Sequence, residues 1–466
     1  MHRIRGIVRT ATVVAAMVVA VVPGVTRSDT ASAAVTPVLA GPLHTTGTDS
    51  VIYDAANRPV RLLGFNWSGT EQGGRNDMLK TTDACGHVWQ TPADGIGGRS
   101  FDNMYQVVRD WGYNVIRVPI SWNDLEPVAP VWSDSLGRYN HTWNTAYVND
   151  LKSMVTKASA VGLSVILDMH QDYWSPSLHH ITNWDGSQGY CEGAGMPRWL
   201  NPSIDAKAST TQNTDFYNAM NQFYRNVRDP GSTLTRETPW HLFYSAWDWI
   251  SYNFSSRSGF PAASAVVGAD VLNEPYISYV GGGPPSGQSV LQAAGARLTT
   301  FYNALAPAMA NWNPNWLLFF QDSTGGYNSA NPLARETPTM TGRPTVGRNW
   351  VYSTHIYNFG FGTFSDGVVR HDDFGITVAN ATLANARAMK VPLYIGEFTN
   401  FTKGVDATTL TDAQMAQTKL YLSWAKTNGV SWTFWSYVST YRPMVVINYV
   451  NNQAIEVVRA ALATGV

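Results

Sequence analysis

Asn273 and Glu274 close the apolar run "SAVVGADVLNE" (264–274), and Pro275 stops that run from passing smoothly into a helix. A second carboxylate, Glu397, stands near the end of "VPLYIGEF" (391–398). Two such groups facing one another suit the cleavage of an acetal. That reaction needs a proton for the leaving oxygen and stabilisation of an oxocarbenium-like transition state. Glu274 would give the proton, which requires a pKa raised by its surroundings, and Glu397 would attack and must stay ionised. Other polar groups stand in comparable places: Arg117 in "YNVIRVPIS" (113–121), His170 ending "LSVILDMH" (163–170), His355 and Tyr357 ending "NWVYSTHIY" (349–357), and Trp435 in "GVSWTFWSY" (429–437). Arg117 and Tyr357 are candidates to stabilise charge by hydrogen bonding. Each residue alone could be a structural polar group. Their gathering at one end of otherwise apolar runs is harder to attribute to structure.

The elements that would position them are short apolar, β-branched runs alternating with helical patterns. Besides the five runs just quoted, "RPVRLLGFNW" (58–67) and "NWLLFFQDS" (315–323) read as strands, and 264–274 makes the eighth. Helical periodicity falls at 101–112, 146–162, 289–311, 375–389, 408–427 and 449–463. Strands and helices in alternation predict an α/β fold, and eight strands close a single (β/α)8 barrel with long insertions after its strands. In such a barrel the active site lies at the C-terminal ends of the strands, where the polar set falls. Fewer than 30 residues follow the eighth strand, so no appended domain is expected there. Residues 51–466 are read as one catalytic domain and 34–50 as a lead-in.

The longest insertion, 171–240, is rich in Trp, Gly, Ser and His. Its rings (Tyr173, Trp174, Trp184, Tyr190, Trp199) either wall the leaving-group side or pack the insertion onto the barrel. Asp168 and Asp172 flank His170 and would orient it or bind sugar hydroxyls. Trp432 and Trp435 fall on opposite faces of one strand, so a single Trp points inward near the mouth. His179-His180 lack companions at ligand spacing and read as loop residues. The stretch "GGGPPSG" (281–287) is a loop rather than a phosphate cradle, because no Lys-Ser/Thr follows it. No metal site and no cofactor are expected.

Arg3, Arg5 and Arg9 precede the apolar run 11–22, and "ASA" (31–33) offers small residues for cleavage, the order of a secretory signal over 1–33. Secretion is therefore expected, without a stable membrane span. Past residue 33 the chain carries 28 basic and 32 acidic residues, too even a balance for a nucleic-acid partner. Cys85 and Cys191 either form one disulfide between two loops or remain two thiols; the oxidising compartment favours the bond. A monomer acting on a carbohydrate or glycoconjugate is expected.

The ordered set Arg117, His170, Asn273, Glu274, His355, Tyr357, Glu397 and Trp435 resembles glycoside hydrolase family 5 over most of residues 51–440. That resemblance implies retention of configuration, with the acid/base at strand four and the nucleophile at strand seven. It further implies that Asn273 bonds the sugar 2-hydroxyl and that Trp435 forms a platform under the ring. "LDMHQDYWS" (167–175) resembles the third-strand motif of endoglycoceramidases and of related fungal sterol glucosidases, and "GFNW" (64–67), with Asn66, fits as well. Those enzymes remove sugar from an apolar aglycone. Bacterial endoglycoceramidases usually carry a C-terminal β-sandwich that is not expected here, so a glucan, a mannan or a plant glycoside stays open. A barrel that binds carbohydrate without cleaving it is the reading from another class; loss of either glutamate would have pointed there.

Overall fold

The computed structural model describes residues 38–67, 101–171, 174–175, 195–205, 212–275, 290–323, 340–356, 373–398 and 412–438. All lie in the compact unit Ala33–Val466. Eight parallel strands close a barrel in chain order: β1 (Leu63–Trp67), β2 (Val115–Ile120), β3 (Ser164–Met169), β4 (Val266–Asp270), β5 (Leu317–Gln321), β6 (Trp350–Ile356), β7 (Leu393–Phe398) and β8 (Ser431–Val438), which returns to β1. This is a (β/α)8 barrel, as expected from the alternation. Its strands are buried on both faces, which explains their continuous apolar runs.

The outer layer holds α1 (Phe101–Asp110), α2 (Thr145–Ala160), α3 (Gln212–Tyr224), α4 (Pro239–Asn253), α5 (Val290–Ala310), α6 (Asp373–Met389) and α7 (Asp412–Thr427). Helix α2 starts where the Asn144 side chain accepts from the Tyr147 amide, and it buries Tyr147, Val148, Leu151, Met154, Val155 and Ala158 along one stripe. Helices α3 and α4 were not read from the sequence. Helix α4 buries Leu242, Phe243, Ala246, Trp247 and Ile250 at helical spacing, but Trp240, Tyr244, Trp249 and Tyr252 on its other sides blur the pattern.

The run 58–67 is not one strand. Pro59–Val60 pairs antiparallel with Ile52–Tyr53, which pairs with His44–Thr45, and only Leu63–Trp67 enters the barrel. Proline lacks the amide that a central strand must donate, so Pro59 belongs on the edge of this small sheet. Leu43 and Ile52 from this segment, together with Leu62, pack against Val115, Ile166, Val267, Leu317, Phe319, Val351 and Tyr394. These side chains seal the floor of the barrel. Burying Leu43 and Ile52 to 1% and 2% exposure contributes about 1.5–3 kcal/mol each as an upper estimate.

Further along the strands the interior turns polar. Two residues past Val115 and Ile166 come Arg117 and Asp168, and two past Val351 comes Ser353, then His355. The barrel thus carries an apolar floor beneath a charged layer.

Candidate active site

Arg117 is the hub of that layer and is fully buried. Its Nε donates to Asp270 Oδ2 (3.1 Å), and its Nη1 to Asn66 Oδ1 (2.9 Å) and Glu397 Oε1 (2.7 Å). Its Nη2 donates to Asn273 Oδ1 (2.9 Å) and also lies 2.9 Å from Asp168 Oδ1 and 3.0 Å from Asp270 Oδ2. Burial alone would drive the guanidinium to give up its proton, but Asp168, Asp270 and Glu397 outweigh that and hold its pKa well above the ordinary value. Arg117 is therefore a permanent cation reaching residues of four other strands or strand ends.

Glu397 reaches Arg117 because β7 breaks its alternation. Tyr394 packs in the barrel floor, so strict period-two geometry would send Glu397 outward. The register with β6 slips between Thr354 and His355, pairing Thr354 with Ile395 but His355 with Glu397. Gly396 is the extra residue of this bulge. Its carbonyl accepts from Asn66 Nδ2 (2.8 Å) and Thr433 Oγ1 (2.6 Å), and a Cβ there would sit 2.9 Å from His355 Nε2. Bare backbone at 396 lets both Glu397 and His355 face the interior.

Glu274 lies past the end of its strand rather than in it. Strand β4 stops at Asp270, and the backbone at Glu274 adopts φ 43°, a left-handed conformation that costs a non-glycine residue free energy. Two glutamines hold it. Gln321 accepts from the Glu274 amide (3.0 Å), and Gln171 donates to the carbonyls of Asn273 (3.1 Å) and Glu274 (3.0 Å). The turn thus accounts for the polar residues that end the apolar run. Glu274 Oε1 lies 2.8 Å from His355 Nδ1, which is 3.5 Å from Glu397 Oε2. One carboxylate oxygen from each glutamate and one imidazole nitrogen lie within 4.8 Å of one another.

The two glutamates have unlike surroundings. The Glu397 side chain is 4% exposed and held by a cation; that of Glu274 is 34% exposed and borders an imidazole. Burial lowers the His355 pKa to about 4 against the opposing pull of Glu397, so the ring is neutral near pH 7. Glu274, His355 and Glu397 form a set that could chelate a cation, but each already has a partner in the arrangement described.

His170 Nδ1 and Asp168 Oδ2 are 2.6 Å apart, and Asn273 Nδ2 donates to His170 Nε2 (3.2 Å). Asp168 accordingly orients His170. Trp435 stacks on the His170 ring at 5.4 Å between centroids and 13° between planes. Trp432 instead sits fully buried against Phe398 and Tyr113 in the outer core, so Trp435 is the inward one.

The structure thus brings Asn66, Arg117, His170, Asn273, Glu274, His355, Glu397 and Trp435 together. Tyr357, Asp172, Cys85 and Cys191 lie outside the described residues, as do Tyr173, Trp184 and Tyr190. Trp174 is 1% exposed, donates to Asn201 Oδ1 (2.8 Å) and packs on Phe223. Trp199 donates to the Glu126 carbonyl (2.8 Å) and meets Trp122 edge to face. Trp174 thus packs within the insertion, and Trp199 packs the insertion against the segment that follows β2. Asp270, Gln171 and Gln321 were missed from the sequence. The signal for Gln321 was its place at the end of β5, level with the other polar strand ends.

The Cellulase profile, glycosyl hydrolase family 5, matches residues 54–440. A glucosylceramidase of Aspergillus fumigatus is 26% identical over 205 residues, covering 42% of this chain and 24% of that protein. An endoglycoceramidase of Cyanea nozakii is 22% identical over 245 residues, covering 51% of this chain and 45% of that protein. The chain spans less than half the length of these curated relatives. Among solved structures, the lactosyl-enzyme intermediate of endo-glycoceramidase II from Rhodococcus sp. superposes with a TM-score of 0.57 at 20% identity, over 85% of this chain and 77% of that one. An endogalactoceramidase gives a TM-score of 0.57 at 21% identity, over 91% and 84%. At such identities the structural likeness is one of fold. With a profile match spanning most of the barrel, the chain belongs to glycosyl hydrolase family 5.

Proposed function

We propose that this chain is a retaining β-glycosidase that releases sugar from a glycoconjugate with a bulky apolar aglycone. Glu397 is the nucleophile and Glu274 the acid/base. The observation that carries the reading is the close approach of the two glutamates, with the permanent cation Arg117 against Glu397. Retaining enzymes place their carboxyl groups about 5–5.5 Å apart, and inverting ones leave about 6.5–9.5 Å for a water. Oxygens within 4.8 Å favour the first class.

In the first step the Glu397 carboxylate bonds to the anomeric carbon while Glu274 gives its proton to the departing glycosidic oxygen. In the second, Glu274 takes a proton from water, which attacks the same carbon and frees Glu397. Arg117 lies against Glu397 and fixes its orientation for the attack, and Asn273, held by Arg117 and His170, is aimed at the 2-hydroxyl. Trp435 supports the sugar ring, and Tyr357 hydrogen-bonds the charge that develops.

The glycolipid part of the reading rests on relatives named for ceramide glycosides and on the third-strand motif. An endo-β-1,4-glucanase or mannanase is the second reading, favoured by the engagement of Trp174 and Trp199 in packing. kcat/KM values decide between them: a soluble β-glucan or mannan turned over faster than every glycolipid and aryl diglycoside would establish the second. The chain is proposed to be secreted after loss of residues 1–33, with Cys85 bonded to Cys191. Mass analysis of the exported, unreduced protein tests both.

A further inference from the structure

Arg117 faces more negative charge than it can balance. Asp168, Asp270 and Glu397 each place an oxygen within 3.0 Å of its guanidinium. All are buried, and with His355 neutral and His170 uncharged, its Nε2 accepting from Asn273, two negative charges would remain unmatched inside the barrel. Unmatched buried charge is expensive, and neighbouring carboxylates relieve it by keeping a proton.

The geometry shows where such a proton fits. Asp168 and Asp270 are register partners on adjacent strands β3 and β4, and both lie against the same nitrogen, Nη2. Asp168 Oδ2 is engaged by His170, and Asp270 Oδ2 accepts from Gln321 Nε2 (3.0 Å) and Arg117 Nε. Among the described residues, neither Oδ1 has a hydrogen bond, although Asp168 Oδ1 lies close to Nη2. Asp168 thus has a partner at each oxygen, whereas Asp270 Oδ1 is buried without one among the described residues, which makes it the oxygen that would carry the proton.

We infer that Asp168 and Asp270 hold a single proton between them, resident on Asp270, so that the charge of Arg117 stays directed at Glu397. Asp270 is then a positioning residue, acting on the nucleophile through Arg117. This rests on the assignment of Glu397 as nucleophile. Once Glu397 carries the sugar as an ester it loses its charge, and Arg117 is balanced by Asp168 alone. The Arg117 cluster would then carry no net charge.

The groups facing Asp270 are Arg117 from β2, Asp168 from β3, Gln321 from β5, Tyr394 from β7 and Tyr302 from α5. Burial raises the Asp270 carboxyl to about 7, with Arg117 opposing and Asp168 adding to the rise. A folded pKa above the unfolded one gives stability that is lost as pH rises through the folded value. Wild type should therefore fall behind Asp270→Asn in melting temperature as pH climbs from about 4 to about 7, and the gap should stay level above that.

Infrared spectroscopy of protein with isotope-labelled aspartate carboxyls reads the proton directly and needs no substrate. A protonated aspartate band is expected near neutral pH, absent in Asp270→Asn. On an aryl β-glycoside, the loss in kcat with Asp270→Asn should be at least about tenfold smaller than with Asp168→Asn, because Asn mimics the neutral acid but not the carboxylate that holds His170. Absence of the band in wild type, or a melting gap constant from about pH 5 to about pH 8.5, would overturn the proposal whatever the enzyme's substrate. Failure of the nucleophile assignment would show instead in the Glu397 variants and leave both of these readouts intact.

Discussion

Arg117 on β2 and Glu397 on β7 meet at 2.7 Å across the barrel, 280 residues apart in the chain. Neither side chain has that geometry from its own strand alone. Arg117 comes from regular alternation above the floor, and Glu397 comes from the bulge at Gly396. The pairing gives a carboxylate only 4% exposed a partner that cannot lose its charge.

Replacing Arg117 by Lys should leave the fold intact but lower kcat on an aryl β-glycoside by about 10²–10³-fold. A single ammonium cannot reach Asn66, Asn273, Asp270 and Glu397 together, because it lacks the planar fork. Retention of more than about a tenth of wild-type kcat would show that charge alone, without the fork, suffices.

The two glutamates should separate by leaving group. Glu274→Gln is expected to lose about 10²–10⁴-fold on alkyl leaving groups but much less on a nitrophenolate, which departs without a proton. Glu397→Gln should be inactive on both. Equal losses for the two variants across a leaving-group series would contradict the assigned roles.

Gly396→Ala places a methyl 2.9 Å from His355 Nε2 and 3.1 Å from Ser353 Oγ. Overpacking of this kind costs about 1–3 kcal/mol. The expected result is a lower melting temperature together with reduced kcat, since His355 and Glu397 share the bulge. A variant that loses stability but keeps wild-type kcat would mean the bulge does not set the position of Glu397.

His355 should make the protein sensitive to acid. Its folded pKa is held down to about 4 by burial, whereas an unfolded histidine titrates near 6.5. Between those values the unfolded chain binds more protons, so stability falls as pH drops through that window, by about 3 kcal/mol at its lower end. In His355→Asn the decline in melting temperature between about pH 6.5 and pH 4 should be shallower than in wild type. Parallel curves would remove His355 from the account.

The eight strands were legible because most are buried on both faces and read as largely apolar runs. Most of the polar set was legible for the same reason: a charge interrupting such a run is conspicuous. Asp270 escaped because the run was read on to residue 274, which made Asp270 an interior strand position rather than the strand's last residue. The bulge at Gly396 was invisible to alternation, which assigns Glu397 to the helix side. The length of "RPVRLLGFNW" hid a change of sheet between Val60 and Leu63.

The sealed floor of the barrel also constrains the order of traffic through the site. Leu43, Ile52 and Leu62 close the lower end against Val115, Ile166, Leu317 and Val351. Under the proposed double displacement, an acceptor for the glycosyl-enzyme comes from the mouth, at the end of the barrel opposite that floor, as the first leaving group departs there. An alcohol supplied in excess at that mouth competes with water on equal geometric terms. The proposed mechanism would thereby allow sugars to move onto new acceptors, with the ratio of transfer to hydrolysis rising with acceptor concentration.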